Sequence, residues 1–271
     1  MRETDALDAP FPLTAAACAD YEREGFVRLA GVFGRATLAP YAAAITDATL
    51  RHNTDHGPLA ERSTYDRAFL QVMNLWRLDD LARRLVFSKR LAGIAAALLG
   101  VRGVRLYHDQ ALYKEPGGGI TPAHADQYYW PLASDRTVTA WIPLQDVPLE
   151  MGPLAFFRGS HREAFGRDLG ISDESEAAIG AAMQARGFAI DDQPFALGDV
   201  SFHGGWTFHR AGANRSERPR SVMTVIYMDA AMRVAEPANP MQHGDLARWL
   251  PGLAPGELAA SALNPVLFEA G

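Results

Sequence analysis

The sequence predicts a mainly β fold with flanking helices, and three observations lead to this prediction. Before Gly100 the chain holds long stretches rich in Ala and Leu, which are typical of helices. After Gly100 it changes to short segments in which Val, Ile, Tyr and Thr recur. Turn signals separate these segments, such as the Pro-Gly-Gly-Gly run at 116–119. Many short strands at modest spacing favour a barrel or a jelly roll of two sheets.

The helices are expected first along the chain. Thr14 is a candidate N-cap for the first of them, and Gly100 is expected to end the last. A short strand is predicted at 25–30, directly after the first helix. The predicted helices span 14–25, 35–51 and, with a break near Ser88, 78–99.

The strands of the predicted β core follow. The clearest is SVMTVIYMD at 221–229, which is almost continuously apolar. The others are expected at 101–115, 137–144, 154–157 and 200–202. A helix is predicted as an insertion at 171–185, and the Pro-containing segment from Pro237 onward is expected to wrap the surface. We expect one domain over 1–271, with helical support at about 1–100, a jelly-roll core at about 101–235 and a C-terminal tail at 236–271.

Composition excludes several classes of protein. The net charge is −6 without a basic patch, so no nucleic-acid partner is expected. No stretch reaches the ~20 apolar residues that cross a bilayer, and the N-terminus does not resemble a signal peptide, so we expect a cytoplasmic protein without a membrane partner. Cys18 is the single cysteine, which excludes an internal disulfide. A metal site would therefore be built mainly from His, Asp and Glu.

The segment His124-Ala-Asp126 is the first candidate for such a site. Residues two apart on a strand point to the same face, so an imidazole and a carboxylate would enter one space. A third, distant histidine would complete the set of two histidines and one carboxylate that non-haem iron(II) oxygenases use. The spacing alone is a weak signal, because it often arises by chance.

His209 is the preferred third ligand among the eight histidines. It lies between the strand predicted at 200–202 and a loop of small residues at 211–214. His203 is the alternative, since it also follows that strand. The choice of His209 gains support from Arg220, eleven residues further on at the start of a predicted strand. A planar guanidinium binds a carboxylate at two points, as a dicarboxylate cosubstrate requires.

Taken together, these residues resemble the phytanoyl-CoA dioxygenase family of iron(II)- and 2-oxoglutarate-dependent oxygenases. The resemblance runs from about Asp20 to Asp229, and the opening DYEREGFVRLAGVF is also similar to that of the family. The residues that carry it are His124-Ala-Asp126, Trp141, Met151-Gly-Pro-Leu154, Gly159-Ser-His161, Gly198-Asp199, His209 with Asn214, and Arg220.

The resemblance implies a fold, a site and a reaction. The fold would be a double-stranded β-helix, a cupin-like jelly roll packed by the N-terminal helices. The iron ligands would be His124, Asp126 and His209. Arg220 would bind the remote carboxylate of 2-oxoglutarate, and the pocket for this cosubstrate would include Trp141, Thr139 and Lys114.

The implied enzyme is a dioxygenase that uses Fe(II), 2-oxoglutarate and O2, with ascorbate as an optional addition in vitro. It would hydroxylate an aliphatic C–H of a small molecule and release succinate and CO2. The substrate could be a secondary metabolite, amino-acid-like or phosphonate-like. Epimerisation, desaturation, cyclisation and a non-catalytic metal-binding sensor remain alternatives, and the protein is expected to be a monomer or a homodimer.

Some positions depart from the family pattern, and others address the substrate. Ala125 stands where Gln or Glu is more usual, and Ala211 where a small hydroxyl residue is frequent. Neither change removes a ligand. Asp126 disfavours the related halogenases, which have a small residue at that position. Aromatic side chains near the metal are candidates for a substrate wall, and they are Tyr128, Trp130 and Trp206.

Overall fold

The structure is a computed structural model that describes residues 3–53 and 57–271. The helices of this part of the chain are α1 (Glu3–Asp8), α2 (Ala15–Glu24), α3 (Arg35–His52), α4 (Thr64–Ala68), α5 (Asp80–Val86), α6 (Lys89–Leu99), α7 (Asp173–Ala185) and α8 (Pro240–Trp249). The strands are β1 (Phe26–Leu29), β2 (Leu70–Met73), β3 (Gly103–Lys114), β4 (Thr121–His124), β5 (Thr137–Pro143), β6 (Leu154–Phe157), β7 (Ile190–Asp191), β8 (Val200–Gly204), β9 (His209–Ala211), β10 (Arg220–Asp229) and β11 (Val266–Glu269).

Local sequence explains where the supporting helices begin and end. The Thr14 hydroxyl accepts a hydrogen bond from the Ala17 amide and so caps α2. Ser88 caps α6 in the same way through the Leu91 amide. Gly100 ends α6 with a φ of 64°, a left-handed conformation that glycine adopts without a steric penalty. The predicted helices and the break near Ser88 are confirmed.

Two antiparallel sheets form the β core. The larger sheet has the order β1-β8-β5-β10-β3-β11, and β2 also pairs with β3. The smaller sheet has the order β4-β9-β6-β7. A hydrophobic cluster joins the two, with Trp141 from the larger sheet and Phe156 from the smaller one. The predicted class, mainly β with flanking helices, is confirmed. The helix predicted as an insertion at 171–185 is also confirmed, as α7.

The central strands β5 and β10 are buried on both faces, which explains why their sequences are almost continuously apolar. One face packs against the N-terminal helices through residues such as Val138, Met223 and Val225. The opposite face, which includes Thr139 and Trp141, lines a cavity between the sheets. The helices therefore support the sheet from outside and leave its inner face for the cavity.

The sequence predicts that the segment from Pro237 onward wraps the surface, but in the structure this segment also contributes to the cavity and to the larger sheet. Its helix α8 lines the cavity through residues that include Asp245 and Trp249. Its strand β11 pairs with the first residues of β3 and so extends the larger sheet. Among the helices of residues 3–53 and 57–271, none combines the length and the hydropathy that crossing a bilayer requires.

Gly152 is a position where the fold requires glycine. Its φ is 66°, and a Cβ atom there would lie 2.1 Å from the carbonyl oxygen of Gly212. Gly152→Ala should lower the free energy of unfolding by at least ~2 kcal/mol, because left-handed strain adds to the clash. Thermal and urea unfolding measure this change.

Gly180→Ala is the matched control, because nothing lies within 4 Å of a Cβ at this position in α7. The control should be neutral or stabilising by up to ~1 kcal/mol. Equal stability of the two variants would show that the close approach of Gly152 to Gly212 is unimportant.

Candidate metal centre

A cavity of about 440 Å³ lies between the two sheets. It brings together most of the side chains that the sequence singles out. Its lining includes the three candidate ligands, the candidate cosubstrate residues of β5 and β10, and one of the three aromatic candidates. These residues are His124, Asp126, His209, Thr139, Trp141, Arg220 and Trp130.

The smaller sheet places the two candidate histidine ligands side by side. His124 ends β4 and is directly opposite His209, which begins β9. Their ring centroids are 4.2 Å apart. The sequence predicts Asp126 on the same strand as His124, but this placement is wrong, because the strand ends at His124 and Asp126 begins a 3-10 turn. Ala125 between them is extended, with φ −123° and ψ 132°, and this conformation still directs both side chains into the cavity.

Hydrogen bonds select one nitrogen of each imidazole for a metal. His124 Nδ1 lies 2.7 Å from the carbonyl oxygen of Pro122, and His209 Nδ1 lies 2.9 Å from that of Thr207. In the tautomer with hydrogen on Nδ1, each ring donates to its carbonyl and leaves the lone pair of Nε2 free. The Nε2 atoms lie 3.5 Å and 3.6 Å from Asp126 Oδ1.

The two carboxylate oxygens of Asp126 have different surroundings. Oδ1 faces the two Nε2 atoms. Oδ2 accepts a hydrogen bond from the Thr139 hydroxyl at 3.0 Å and lies 3.2 Å from His203 Nε2. Thr139 and His203 thus both contact Oδ2 of Asp126, which is the oxygen that points away from the two Nε2 atoms. Both orient Asp126 so that Oδ1 remains available.

The electrostatics favour the forms of these residues that bind metals. Burial would raise the pKa of Asp126, but His209, His124 and His203 together hold it well below its usual range. Burial, and then His124, lower the pKa of His209 well below its usual value. A carboxylate and a neutral imidazole are the ligating forms of these side chains.

The side chains of His124, Asp126 and His209 bring their ligand atoms close together. Within residues 3–53 and 57–271 they form the one group that could hold a metal ion in this way. One ligand atom from each lies within 4.8 Å of the others. Two imidazoles and one carboxylate on one side of a cavity fit iron(II) and leave coordination positions open. Of the other histidines, His56 lies outside the described residues.

Arg220 is a buried cation without an anionic partner among the described residues. One of its terminal nitrogens donates to the carbonyl oxygen of Gly152, while Nε is buried and has no hydrogen-bond partner. Its guanidinium carbon lies 5.7 Å from the ring centroid of Trp141. Burial lowers the pKa of Arg220 to about 10, so the group is still protonated near neutral pH. The guanidinium of Arg220 therefore has room for an anionic partner, and a negatively charged ligand can supply it.

Lys114 lies beside Arg220 in the sheet but does not line the cavity. Its Nζ donates to the carbonyl oxygens of Gly119 and Gly212, at 2.6 Å and 2.8 Å. Burial, and then Arg220, lower its pKa to about 6. Lys114 thus ties the loop before β4 to the loop after β9, and these loops flank the ligand-bearing strands.

The aromatic candidates are separated by the fold. Trp130 is buried and lines the cavity. Tyr128 lies outside the lining, where its ring packs edge-on against Tyr129. Trp206 also lies outside it, with the guanidinium of Arg167 4.5 Å above its ring. Among the three, the structure brings Trp130 alone to the cavity.

The cavity also includes residues that the sequence reasoning missed. On β3, His108 and Gln110 line it, and they share one face of the strand because they are two residues apart. Residues from the segment before β3 and from α8 carry no comparable signal, because their approach depends on the tertiary fold. They are Tyr65, Phe69, Gln71, Met73, Met241, Asp245, Arg248 and Trp249.

A model of the phytanoyl-CoA dioxygenase (PhyH) family matches residues 21–222. The chain belongs to this family. Phytanoyl-CoA dioxygenase domain-containing protein 1 of Mus musculus is 25% identical over 171 residues, which are 60% of this chain and 58% of the mouse protein. The chain thus spans less than two thirds of that relative. Ectoine dioxygenase of Streptomyces avermitilis is 24% identical over 253 residues, covering 85% of this chain and 83% of the enzyme.

Solved structures are similar over nearly the whole chain. The non-haem, α-ketoglutarate-dependent carbocyclase SnoK from nogalamycin biosynthesis has a TM-score of 0.77 and 28% identity, over 95% of this chain and 99% of its own. The epimerase SnoN, in complex with Fe3+, α-ketoglutarate and nogalamycin RO, has a TM-score of 0.76 and 29% identity, over 93% of this chain and 98% of its own. EctD from S. alaskensis has a TM-score of 0.69 and 20% identity, over 98% of this chain and 93% of its own. At this identity the similarity supports the fold alone. The predicted family, enzyme class and cofactor set agree with these findings.

The roles of His209 and His203 can be separated by mutation. His209→Ala removes a ligand atom, so it should weaken iron(II) binding beyond the ~10- to 100-fold that loss of an orienting residue typically causes. His203→Ala removes a contact to Asp126 Oδ2 and should stay within that range. Anaerobic titration against a competing chelator measures both, with the exposed His243→Ala as the control. An equal loss for His203 and His209 would show that the ligand set is misassigned.

Proposed function

We propose that this chain is an Fe(II)- and 2-oxoglutarate-dependent dioxygenase that hydroxylates an aliphatic C–H of a small molecule. The observation that carries the proposal is the presence, in one cavity, of a His-Asp-His group and a buried guanidinium that forms no ion pair with any residue in the described part of the chain. A metal site alone would have no need of Arg220. A 2-oxo acid with a second carboxylate meets both requirements, because one end chelates the metal and the other binds the guanidinium.

The residues of the chain have distinct tasks in this reaction. When bound, iron(II) supplies the oxygen-activating chemistry of the class. His124, His209 and Asp126 would hold it, while Thr139 and His203 keep the carboxylate turned. Arg220 would bind the remote carboxylate against the face of Trp141. Apolar side chains of the lining, such as Leu154 and Ile226, would exclude water and position one C–H of the substrate.

A second outcome on the same iron has specific support. The two neighbours with 28% and 29% identity are a carbocyclase and an epimerase, whereas the ectoine dioxygenase of Streptomyces avermitilis is 24% identical. Cyclisation would remove two hydrogen atoms from the substrate, and epimerisation would leave its composition unchanged. Hydroxylation adds one oxygen atom. Mass spectrometry of the product therefore separates hydroxylation from cyclisation. An epimer has the mass of the substrate, so chromatography or NMR is used to detect it.

The class of reaction is tested by succinate formation. Protein supplied with iron(II), ascorbate, 2-oxoglutarate and O2 should form succinate, and an accepted small molecule should increase the rate. Asp126→Ala is the control, because it removes the carboxylate ligand. Absence of succinate across a broad compound library, in protein that binds iron, would contradict the enzyme proposal and favour a metal-binding sensor.

Arg220→Gln tests the cosubstrate site separately from the metal. The variant should bind 2-oxoglutarate about 30-fold or more weakly, which corresponds to ~2 kcal/mol for a charge-assisted pair, with little change in iron(II) affinity. Calorimetry with Mn(II)-loaded protein measures the affinity for 2-oxoglutarate, and anaerobic titration against a competing chelator measures the affinity for iron(II). Arg218→Gln, at an exposed position, should leave both unchanged. Equal losses of metal and 2-oxoglutarate binding would show that Arg220 has another role.

A further inference from the structure

The cavity contains a second charged group that the proposed reaction does not use. Asp245 projects from α8 and lines the cavity. Its Oδ2 accepts a hydrogen bond from the hydroxyl of Tyr107 at 3.1 Å. Burial raises the pKa of Asp245 to about 6, against the lowering effect of Tyr107, Trp249 and Arg248. The carboxylate is therefore largely ionised near neutral pH.

Arg248 also lines the cavity and helps to lower the pKa of Asp245, but it does not form a close ion pair with it. No ion pair within 4.0 Å includes Asp245 in the described ranges 3–53 and 57–271. Arg248, one turn further along α8, is exposed, and its guanidinium carbon lies 5.6 Å above the ring of Trp249. Burial lowers the pKa of His108 to about 3, so this imidazole adds no positive charge.

Some of the other polar side chains that line this part of the cavity are bonded to one another, whereas His108 Nδ1 is buried without a hydrogen-bond partner. Gln71 Nε2 donates to Gln110 Oε1 at 2.8 Å, and the Tyr65 hydroxyl donates to Gln71 Oε1 at 3.0 Å. Asp245 is thus a cavity-lining carboxylate that accepts hydrogen bonds but forms no ion pair within 4.0 Å among the described residues. A ligand that supplies a cation would complete it.

Aromatic side chains line the cavity that Asp245 also lines. Trp249 belongs to the same helix as Asp245, and its ring lies 5.1 Å from that of His108. Further aromatic residues line the same cavity, and they are Tyr65, Phe69, Tyr129 and Trp130. A carboxylate next to aromatic faces suits an organic ammonium group, because charge attraction and cation–π attraction act together.

Asp245 lies toward the end of the cavity opposite Arg220. Both Arg220 and Ile226 line the cavity from β10, and six residues of a strand span about 20 Å. Ile226 pairs with His108, which contacts Trp249. The cavity thus has a cation at one end, for an anionic cosubstrate, and a carboxylate at the other.

We infer that the substrate of this enzyme is an organic amine, whose protonated nitrogen binds Asp245 within the aromatic wall. The inference deepens the proposed function and rests on it, since it concerns the substrate of that reaction. The binding site itself can be tested without turnover.

The experiment compares two probes with the same aromatic frame, 1-naphthylmethylamine and 1-naphthalenemethanol. Calorimetry uses full-length protein loaded with Mn(II) and 2-oxoglutarate. The wild type should bind the amine about 10-fold more tightly than the alcohol. Asp245→Asn should remove this preference and leave the affinity for the alcohol unchanged. Arg248→Gln is the matched control, and it should retain or increase the preference.

Several results would overturn the inference. They are equal binding of amine and alcohol by the wild type, no binding of the amine, or an unchanged preference in Asp245→Asn. A preference for 1-naphthoate that Arg248→Gln abolishes would show that this end binds anions instead. Asp245→Ser replaces Asp245→Asn if the latter does not fold. Retained 2-oxoglutarate binding in either variant separates failure of this inference from failure of the proposed function.

Discussion

The charge of Arg220 constrains the arrangement of the whole cavity. A guanidinium enclosed between two sheets is costly unless an anion or hydrogen-bond acceptors accompany it. The fold provides the carbonyl of Gly152 and the face of Trp141, and it leaves Nε without a partner. The remaining charge balance has to come from a ligand. The glycine with positive φ, the paired central strands and the supporting helices all serve to keep this cation in place.

In the candidate metal centre, the protein bonds one polar atom of each side chain and leaves another atom available for a metal. Asp126 has two oxygens, and the protein occupies one of them with Thr139 and His203. The imidazoles are each held at Nδ1 by a backbone carbonyl two residues earlier in the chain. One donor atom of each ligand is therefore presented to a common space before any metal binds. Such preorganisation reduces the reorganisation that binding requires.

Much of this could be predicted from the sequence, because the signals are local. Capping residues gave the helix bounds, and apolar runs gave the strands β5 and β10. The order of His124, Asp126, His209 and Arg220 gave the candidate site. The choice of His209 over His203 has a structural reason. His203 contacts Oδ2 of Asp126, whereas His209 faces Oδ1 together with His124. The placement of Asp126 on a strand was wrong, because the strand ends at His124.

The other half of the cavity could not be predicted, because it is assembled from distant segments. Strand β2 and helix α8 approach β3 only through tertiary packing, and neither carries a motif. Lys114 has the residue type of a ligand-binding group, yet its register in β3 directs it to backbone carbonyls. Periodicity predicts which residues share a face, but it does not predict which partner covers that face.

The central claim is that one cavity holds a metal at His124, Asp126 and His209 and a dicarboxylate at Arg220. A crystal structure with Mn(II) and 2-oxoglutarate tests it most directly, with anomalous scattering to locate the metal. We expect the ion at both histidine Nε2 atoms and Asp126 Oδ1, and the remote carboxylate on the Arg220 guanidinium. A metal bound through His203, or a cosubstrate carboxylate at Arg248 instead, would contradict the account.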